Sequence, residues 1–385
     1  MSSVDTLLAE LAPGGVERRA LGDIATFIRG NGMPKTDLTD SGVGAIHYGQ
    51  IYTRYGVWAE STFSFVTPEK AVKLAAASTG DIIITNTSEN IDDVCKAVAW
   101  LGSEPIVTGG HATVIKHSLD PKYLSYWFQS PAFVKQKRAL ATGTKVIDVS
   151  AKQLEKVRIP VPPLEVQREI VRILDQFTQL EAELEAELEA ELEARKCQFA
   201  HMRAEALALS GAPSVTVGEI ASRISSGRNT QRVAGGAYPV FGSTGQIGTT
   251  DAPQYSGEAL LIARVGANAG RVSAVRGDYD VSDNTLVLRP SQAWNDHFAF
   301  HQLTQMNLNQ YAVGGGQPLV TARLLKSLRI PLPPLEDQCR IAGVLDKFDA
   351  LVNDLSIGLA AEQAARRKQY EYYRDKLLTF KEAAE

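Results

Sequence analysis

Two stretches of this chain nearly copy each other. Residues 158–180 read RIPVPPLEVQREIVRILDQFTQL, and residues 329–351 read RIPLPPLEDQCRIAGVLDKFDAL. The offset of 171 residues holds from Arg158 and Arg329 to Asp175 and Asp346. It also holds upstream, where Gly143 stands opposite Gly314, Val149-Ser150-Ala151 opposite Val320-Thr321-Ala322, and Leu154 opposite Leu325. A weaker echo pairs LGDIATFIRG (21–30) with VGEIASRISSG (217–227) at an offset of 196. A period this long excludes a solenoid, whose units run about 20–50 residues. It calls for a tandem duplication: two globular regions, each trailed by a helix.

Local signals place the helices. The pairs Pro162-Pro163 and Pro333-Pro334 suit a helix start, because proline is tolerated only in the first turn. Glu165 and Glu336 set negative charge in that turn, against the positive end of the helix dipole. Apolar residues then recur three and four apart: Ile170, Leu174, Phe177 and Leu180 in the first copy, and Leu345, Phe348, Val352, Leu355 and Leu359 in the second. The first helix should run from Leu164 to about Leu209 and stop at Ser210-Gly211-Ala212-Pro213; the second should run from about Leu335 to Phe380. Two long apolar stripes bury each other most simply as an antiparallel coiled coil; the alternative is two helices each packed on its own globular region.

The globular regions read as mixed α/β. GDIIITN (80–86), ATVIKH (112–117), EALLIAR (258–264) and TLVLRP (285–290) have the apolar, β-branched character of buried strands. PKYLSYWFQSPAFVKQKRAL (121–140) and NDHFAFHQLTQMNLNQ (295–310) read as helices, and VGANAG (265–270) as a turn. The expected fold is therefore α/β (mixed α+β), with two globular domains separated by two long antiparallel helices. The expected bounds are 1–157, 158–211, 212–328 and 329–385.

Charge is segregated although the net charge is only −4. Residues 16–157 hold 16 Lys/Arg against 14 Asp/Glu, and residues 212–328 hold 9 against 7; residues 158–211 hold 6 against 11, and residues 329–385 hold 9 against 10. Both globular regions are mildly basic, which permits nucleic-acid contact without requiring it. Residue types suited to base edges gather in two places. His47, Tyr48, Gln50, Tyr52, Arg54 and Tyr55 lie close together in the first half, and Arg228, Asn229, Gln231 and Arg232 follow a glycine in the second. Arginine pairs with guanine edges and Asn or Gln with adenine edges. A plain polar surface loop is the other reading of either stretch.

Other chemistry is missing from the sequence. There is no GxxxxGK[ST] loop, no HExxH and no metal-spaced Cys/His set, and VPPL and LPPL lack the residues of an NPPY-type methyltransferase motif. His111 after Gly109-Gly110, and Asp280-Val281-Ser282-Asp283, are the only positions that an enzymatic reading could use. No catalytic residue, metal ligand or cofactor site is expected in this chain. Cys95, Cys197 and Cys339 are too scattered for a disulfide framework and fit a reducing cytoplasm. The N-terminus MSSVDTLLAELAPGG lacks the basic start and apolar stretch of a signal peptide, and no apolar run is long enough to span a membrane.

At this point the pattern is specific. Two variable regions, each closed by RIPxPPLExQ..I...LD.F and a long helix, resemble the specificity subunit of type I restriction–modification enzymes. HYGQIYTRYGVW (47–58), YPVFGSTGQIG (238–248) and ALLIARVGANAGRVSAVRGDYDVSDNTLVLRP (259–290) also look like target-recognition-domain sequence of that family. The resemblance covers essentially the whole chain. It implies that each globular half reads one half of a split site in double-stranded DNA. It also implies that the helices, with Leu174, Phe177, Leu345 and Phe348 on their stripes, orient the readers and dock two modification subunits. Those partners bind S-adenosylmethionine and methylate adenine, and restriction/translocase subunits, using ATP and Mg, join for cleavage. The recognition role extends by resemblance to Arg264 and Asn268. A coiled-coil scaffold that holds proteins and not DNA is the competing class.

One segment needs its own account. LEAELEAELEAELEAR (180–195) stacks Glu181, Glu185, Glu189 and Glu193 at i,i+4, where each like-charge pair costs about 0.2–0.5 kcal/mol. Leucine every four residues drifts by about 40° per unit around a 3.6-residue helix. High helix propensity of Leu, Glu and Ala keeps the segment helical. The repeat is poor as a stabilising device and better suited to setting a length; neutral low complexity on an exposed face is the alternative.

Overall fold

The computed structural model describes residues 3–229, 231–314 and 318–383. The chain divides into two compact units, residues 1–185 with 363–385, and residues 186–362. The class is mixed α/β, as the strand and helix patterns predict.

In the first unit, the strands Ala25–Arg29, Ala112–His117, Ile82–Thr85, Ala97–Trp100 and Trp58–Ala59 form one sheet in that order. Its first three contacts are antiparallel, and Trp58–Ala59 joins Ala97–Trp100 in parallel. A second sheet orders Ser64–Val66, Val43–Ile46, Ile106–Thr108 and Ala75–Ala77. The run ATVIKH is a strand over the whole of Ala112–His117, and all of Ile82–Thr85 is buried. One face of the larger sheet packs Ile82, Ile84 and Ile115 against Tyr123, Leu124, Trp127 and Phe133. The stretch 121–140 is two helices, Pro121–Trp127 and Pro131–Leu140, instead of one. Pro131 has no N–H to continue the first helix, and Ser130 caps the second by accepting from the Phe133 N–H.

The second unit repeats the scheme with a different sheet. Ala221–Ser226, Thr285–Pro290, Ala259–Ala263 and Val272–Val275 are ordered antiparallel neighbours. Gly245–Thr250, Tyr238–Gly242, Asp278–Val281 and Tyr255–Ser256 form a second sheet. The helix expected over 295–310 runs Asp296–Gln305 and gives way to a 3-10 turn at Leu308–Tyr311, after Asn307 takes up a left-handed φ of 45°.

The repeated motifs close each unit in the same manner. RIP at Arg158–Pro160 pairs antiparallel with Arg18–Ala20, and RIP at Arg329–Pro331 pairs with Ser214–Thr216. The echo LGDI/VGEI is a single helical turn in both halves, Leu21–Ile24 and Val217–Ile220. Its glycine is needed for close approach: a Cβ on Gly22 would press on Glu155 at 3.1 Å, and one on Gly218 on the Lys326 carbonyl at 3.0 Å.

The long helices are Leu164–Ala206 and Leu335–Leu377, both starting on the residue after the proline pair. In the first unit they pack antiparallel. Phe177 stacks on Tyr373 with ring centres 5.7 Å apart, and Glu181, further along, feels the charge of Arg367, earlier in the other helix. In the second unit Phe199, Phe348 and Val352 pack beside the buried Ile341, Ala342 and Leu345. Within the acidic repeat Leu180 is 61% exposed, while Leu184, Leu188 and Leu192 are half-buried, in keeping with a leucine row that spirals across the helix face.

Candidate nucleic-acid interface

In the first unit, the predicted contact residues lie on one turn after the strand Val43–Ile46. His47 caps the short helix Tyr48–Ile51. Its Nδ1 accepts from the Gly49 N–H (3.2 Å), while the Gln50 Oε1 accepts from the His47 N–H (3.1 Å). Gln50 Nε2 donates to Ser64 Oγ at 2.7 Å. Both ends of the Gln50 amide are thus engaged inside the fold, and His47 is 5% exposed. Burial, with Lys35 and His111 nearby, holds the His47 imidazole below its usual range, which keeps Nδ1 an acceptor. The Tyr48 ring lies between the rings of His47 (4.5 Å) and His111 (4.8 Å). His111 Nδ1 is 2.9 Å from Thr87 Oγ1. The Tyr55 hydroxyl accepts from the Phe63 N–H (3.0 Å), and the exposed Arg54 guanidinium lies over the Phe63 ring at 5.6 Å. Burial raises the phenols of Tyr52 and Tyr55, so both stay neutral donors or acceptors at pH 7. The residues left facing outward are Arg54, with Tyr48, Tyr52 and Tyr55 half-buried beside it.

In the second unit, three predicted residues converge on one loop. The Arg228 and Asn229 N–H groups both donate to the Val281 carbonyl at 2.9 Å. Asn229 Nδ2 donates to Asp280 Oδ2 at 2.6 Å, and Asp280 is 1% exposed. Arg264 Nη1 reaches the Asp283 carbonyl at 3.4 Å, and its backbone N–H donates to the Asn284 carbonyl. Gly227 permits this, since a Cβ there would fall 2.2 Å from the Ser282 carbonyl. The segment Asp280-Val281-Ser282-Asp283 is therefore the scaffold on which the basic loop rests. Arg228, Gln231 and Arg232 point to solvent, and the Arg232 stem lies along Gly248. Asn268 is set apart, in the turn 265–270, where its carbonyl accepts from the Arg271 N–H. Thr230, within the predicted loop, lies outside the described residues.

The helix stripes need a correction. Leu174 and Leu345 are 0% exposed, inside the core of their own unit; Phe348 packs partly buried against the second core, and the half-buried Phe177 stacks on Tyr373 of the other long helix. The reason is that the first turns of each stripe face their own globular region, and only the turns beyond them face the other helix. On these helices Leu180, Leu351, Ile357 and Tyr372 are widely exposed large side chains.

Sequence reasoning missed the residue that joins each globular region to its helix. Gln167 Oε1 accepts from the Asp120 N–H (2.8 Å), and its Nε2 donates to the Pro162 carbonyl (2.8 Å). Gln338 does the same in the second unit, with the Asn295 N–H (2.9 Å) and the Pro333 carbonyl (2.8 Å), and adds the Ala293 carbonyl (3.0 Å). Asp120 and Asn295 cap the helices Pro121–Trp127 and Asp296–Gln305. The glutamine of PPLExQ thus ties the first turn of each long helix to the start of a globular-domain helix. The signal was its presence in both repeats.

Among the described residues no three His, Cys, Asp or Glu side chains gather in a way that could hold a metal ion, and no helix is long and apolar enough to cross a membrane.

Known proteins match along most of this frame. The type I restriction modification DNA specificity domain family matches residues 13–194 and again 215–362. The specificity subunit of the type I restriction enzyme EcoprrI from Escherichia coli is 37% identical over 254 residues, covering 62% of this chain and 63% of that protein. The EcoR124I/EcoR124II specificity subunit of the same organism is 27% identical over 380 residues, covering 88% of this chain and 90% of that one. The chain thus spans less than two thirds of the first of these relatives and nine tenths of the other. Two solved structures share the fold. One is a chain from a structure concerned with complex assembly and conformational transition of the type I R-M system, with a TM-score of 0.77, 20% identity and coverage of 94% of this chain and 97% of that one. The other is the HsdS subunit from Thermoanaerobacter tengcongensis, with a TM-score of 0.57, 19% identity and coverage of 96% and 97%. With its two halves each matched and its repeated frame explained, the chain belongs to the type I restriction modification DNA specificity domain family.

Proposed function

We propose that this chain is the sequence-specific DNA-binding specificity subunit of a cytoplasmic type I restriction–modification complex. Residues 1–157 and 212–328 are two target recognition domains, each reading one half of a split site in double-stranded DNA. Residues 158–211 and 329–385 are helical spacers that dock two adenine-methyltransferase subunits and the restriction subunits. The chain has no catalysis of its own; S-adenosylmethionine, ATP and Mg belong to its partners. The observation that carries this reading is the family match to both halves, each of which ends in the same motif and a 43-residue helix.

The exposed Arg54 and the exposed Arg228, Gln231 and Arg232 supply the direct readout in the two halves. Backbone phosphate contacts add an affinity that falls with salt. The acidic repeat is kept off the DNA by phosphate repulsion and sets the separation of the half-sites. The test is DNA binding by the chain assembled with its methyltransferase partner. Affinity for a DNA pool should fall steeply as salt rises. Arg228→Ala should weaken binding to the selected site by about 1–3 kcal/mol and relax preference at one half-site only. Binding that is insensitive to salt, or an Arg228→Ala effect spread over both half-sites, contradicts the assignment.

A further inference from the structure

The aspartate of the repeated LD.F motif is held differently in the two halves. In the first unit Asp175 Oδ2 accepts from Lys122 Nζ (2.7 Å), and Oδ1 accepts from the Tyr126 hydroxyl (2.8 Å). In the second unit Asp346 Oδ2 lies 2.8 Å from His297 Nδ1, and Oδ1 lies 2.9 Å from His301 Nε2. Both donor pairs are spaced i,i+4 on the helix whose cap is tied down by the motif glutamine. Lys122 and Tyr126 precede His297 and His301 by the same 175 residues that separate Asp120 from Asn295. The latch is therefore the same device built twice: one carboxylate of the long helix gripped by two side chains of the globular-domain helix. Only its chemistry differs.

We propose that the buried His301 makes the second latch an acid-sensitive positioning device, which releases the helix Asp296–Gln305 from the C-terminal helix at mildly acidic pH while the first latch stays closed. Lysine and tyrosine do not change charge between pH 5 and 8, and histidine does. The His301 side chain is 1% exposed, and its Nδ1 is buried with no partner. With Nε2 donating to Asp346, the neutral ring keeps only an acceptor lone pair at Nδ1. Protonation adds an N–H there that has no acceptor, next to a charge that burial penalises.

Groups around the ring oppose one another. On the C-terminal helix, Asp346 and Asp349 favour the protonated form; Arg203 on the central helix disfavours it, and the Phe199 ring covers it edge-on at 6.5 Å. His297, 63% exposed, shares Asp346 and faces Glu258, Arg276 and Asp296. Burial is the largest of these influences, and the His301 imidazole is held below its usual range. The folded state therefore binds this proton less well than the open one. The latch is intact above about pH 6.5, and its contribution is lost as the pH falls from there towards the folded value.

Hydrogen exchange of the full chain, measured by mass spectrometry from pH 7.5 to 5.5 and corrected for intrinsic rates, tests this directly. Peptides covering 296–305 should lose protection by up to tenfold per pH unit below about 6.5, and those covering 121–127 should not. The double variant His297→Lys, His301→Tyr, which installs the first latch in the second unit, should abolish the difference. Tyr126, 1% exposed, is the phenol that the first unit seats at the equivalent place. Equal pH responses of the two helices in the unaltered chain overturn the proposal, and so does a pH response that survives in the double variant.

Discussion

Gln338→Ala separates two residues that the repeat presents as equals. Glu336 and Gln338 occur at the same places in both copies of PPLExQ, yet the structure gives them unequal weight. Gln338 is 1% exposed and makes three hydrogen bonds, to the Asn295 N–H, the Ala293 carbonyl and the Pro333 carbonyl. Alanine removes all three. A buried polar group left without a partner costs about 1–3 kcal/mol. The Pro333 bond is fully buried and the other two are partly so, which sets the loss at about 2–4 kcal/mol. Because Asn295 is the cap of Asp296–Gln305, the loss should fall first on that helix, which brings Phe298, Ala299 and Leu303 into the core. Glu336, exposed in the first turn, should change stability by no more than about 0.5 kcal/mol on going to alanine. Native-state hydrogen exchange of the 296–305 amides reads the opening free energy of that helix in both variants. A Gln338→Ala loss below about 0.5 kcal/mol, or one matched by Glu336→Ala, refutes the view that this glutamine joins the globular region to its helix.

Other consequences are equally concrete. Removing one LEAE unit shortens the helix by roughly 6 Å and turns it by roughly 40°, against about 3.4 Å and about 34–36° for a base pair; the preferred gap between half-sites should move by about one base pair, and an unchanged gap in selected or methylated DNA contradicts the spacer role. Burial pushes the Cys95 thiol up to about 12, whereas Cys197 and Cys339 are exposed, so brief alkylation at pH 8 should label the latter two and spare Cys95 until the chain is unfolded; peptide mass spectrometry reads the pattern. Asn229→Ala takes a partner from the buried Asp280 carboxylate and should destabilise the second unit by about 1–3 kcal/mol, seen as faster exchange over the described part of 228–236.

Much of the frame was legible because the chain states it twice. The proline pairs mark both helix starts to the residue, and the apolar runs at 112–117 and 285–290 are strands over their full length. Pro131 was a visible break inside 121–140, and the stretch was read as helical without being divided there. What could not be read is which partner each side chain has. His47 and Gln50 look like base-reading residues, and they form a capping box in which histidine takes the place usually held by Ser or Thr. Leu174 and Leu345 look like a helix–helix seam, and they face their own globular cores, because apolar periodicity shows that a face is buried and not what buries it. The latch on Asp175 and Asp346 depends on helices whose partners lie 45–53 residues upstream in sequence, at an offset of 175 and not 171, so no alignment of the motif alone pairs the two sets.

The measurement closest to the central claim is a methylome. The chain is co-expressed with its methyltransferase partner in a host free of adenine methylation, and the DNA is sequenced for modified adenines. A single split motif with a fixed gap is expected, with methylation of both half-sites and loss of one half's preference in Arg228→Ala. Unmodified DNA in cells that contain the assembled complex, or modified adenines in a continuous or random context, contradicts the assignment of two DNA readers to this chain.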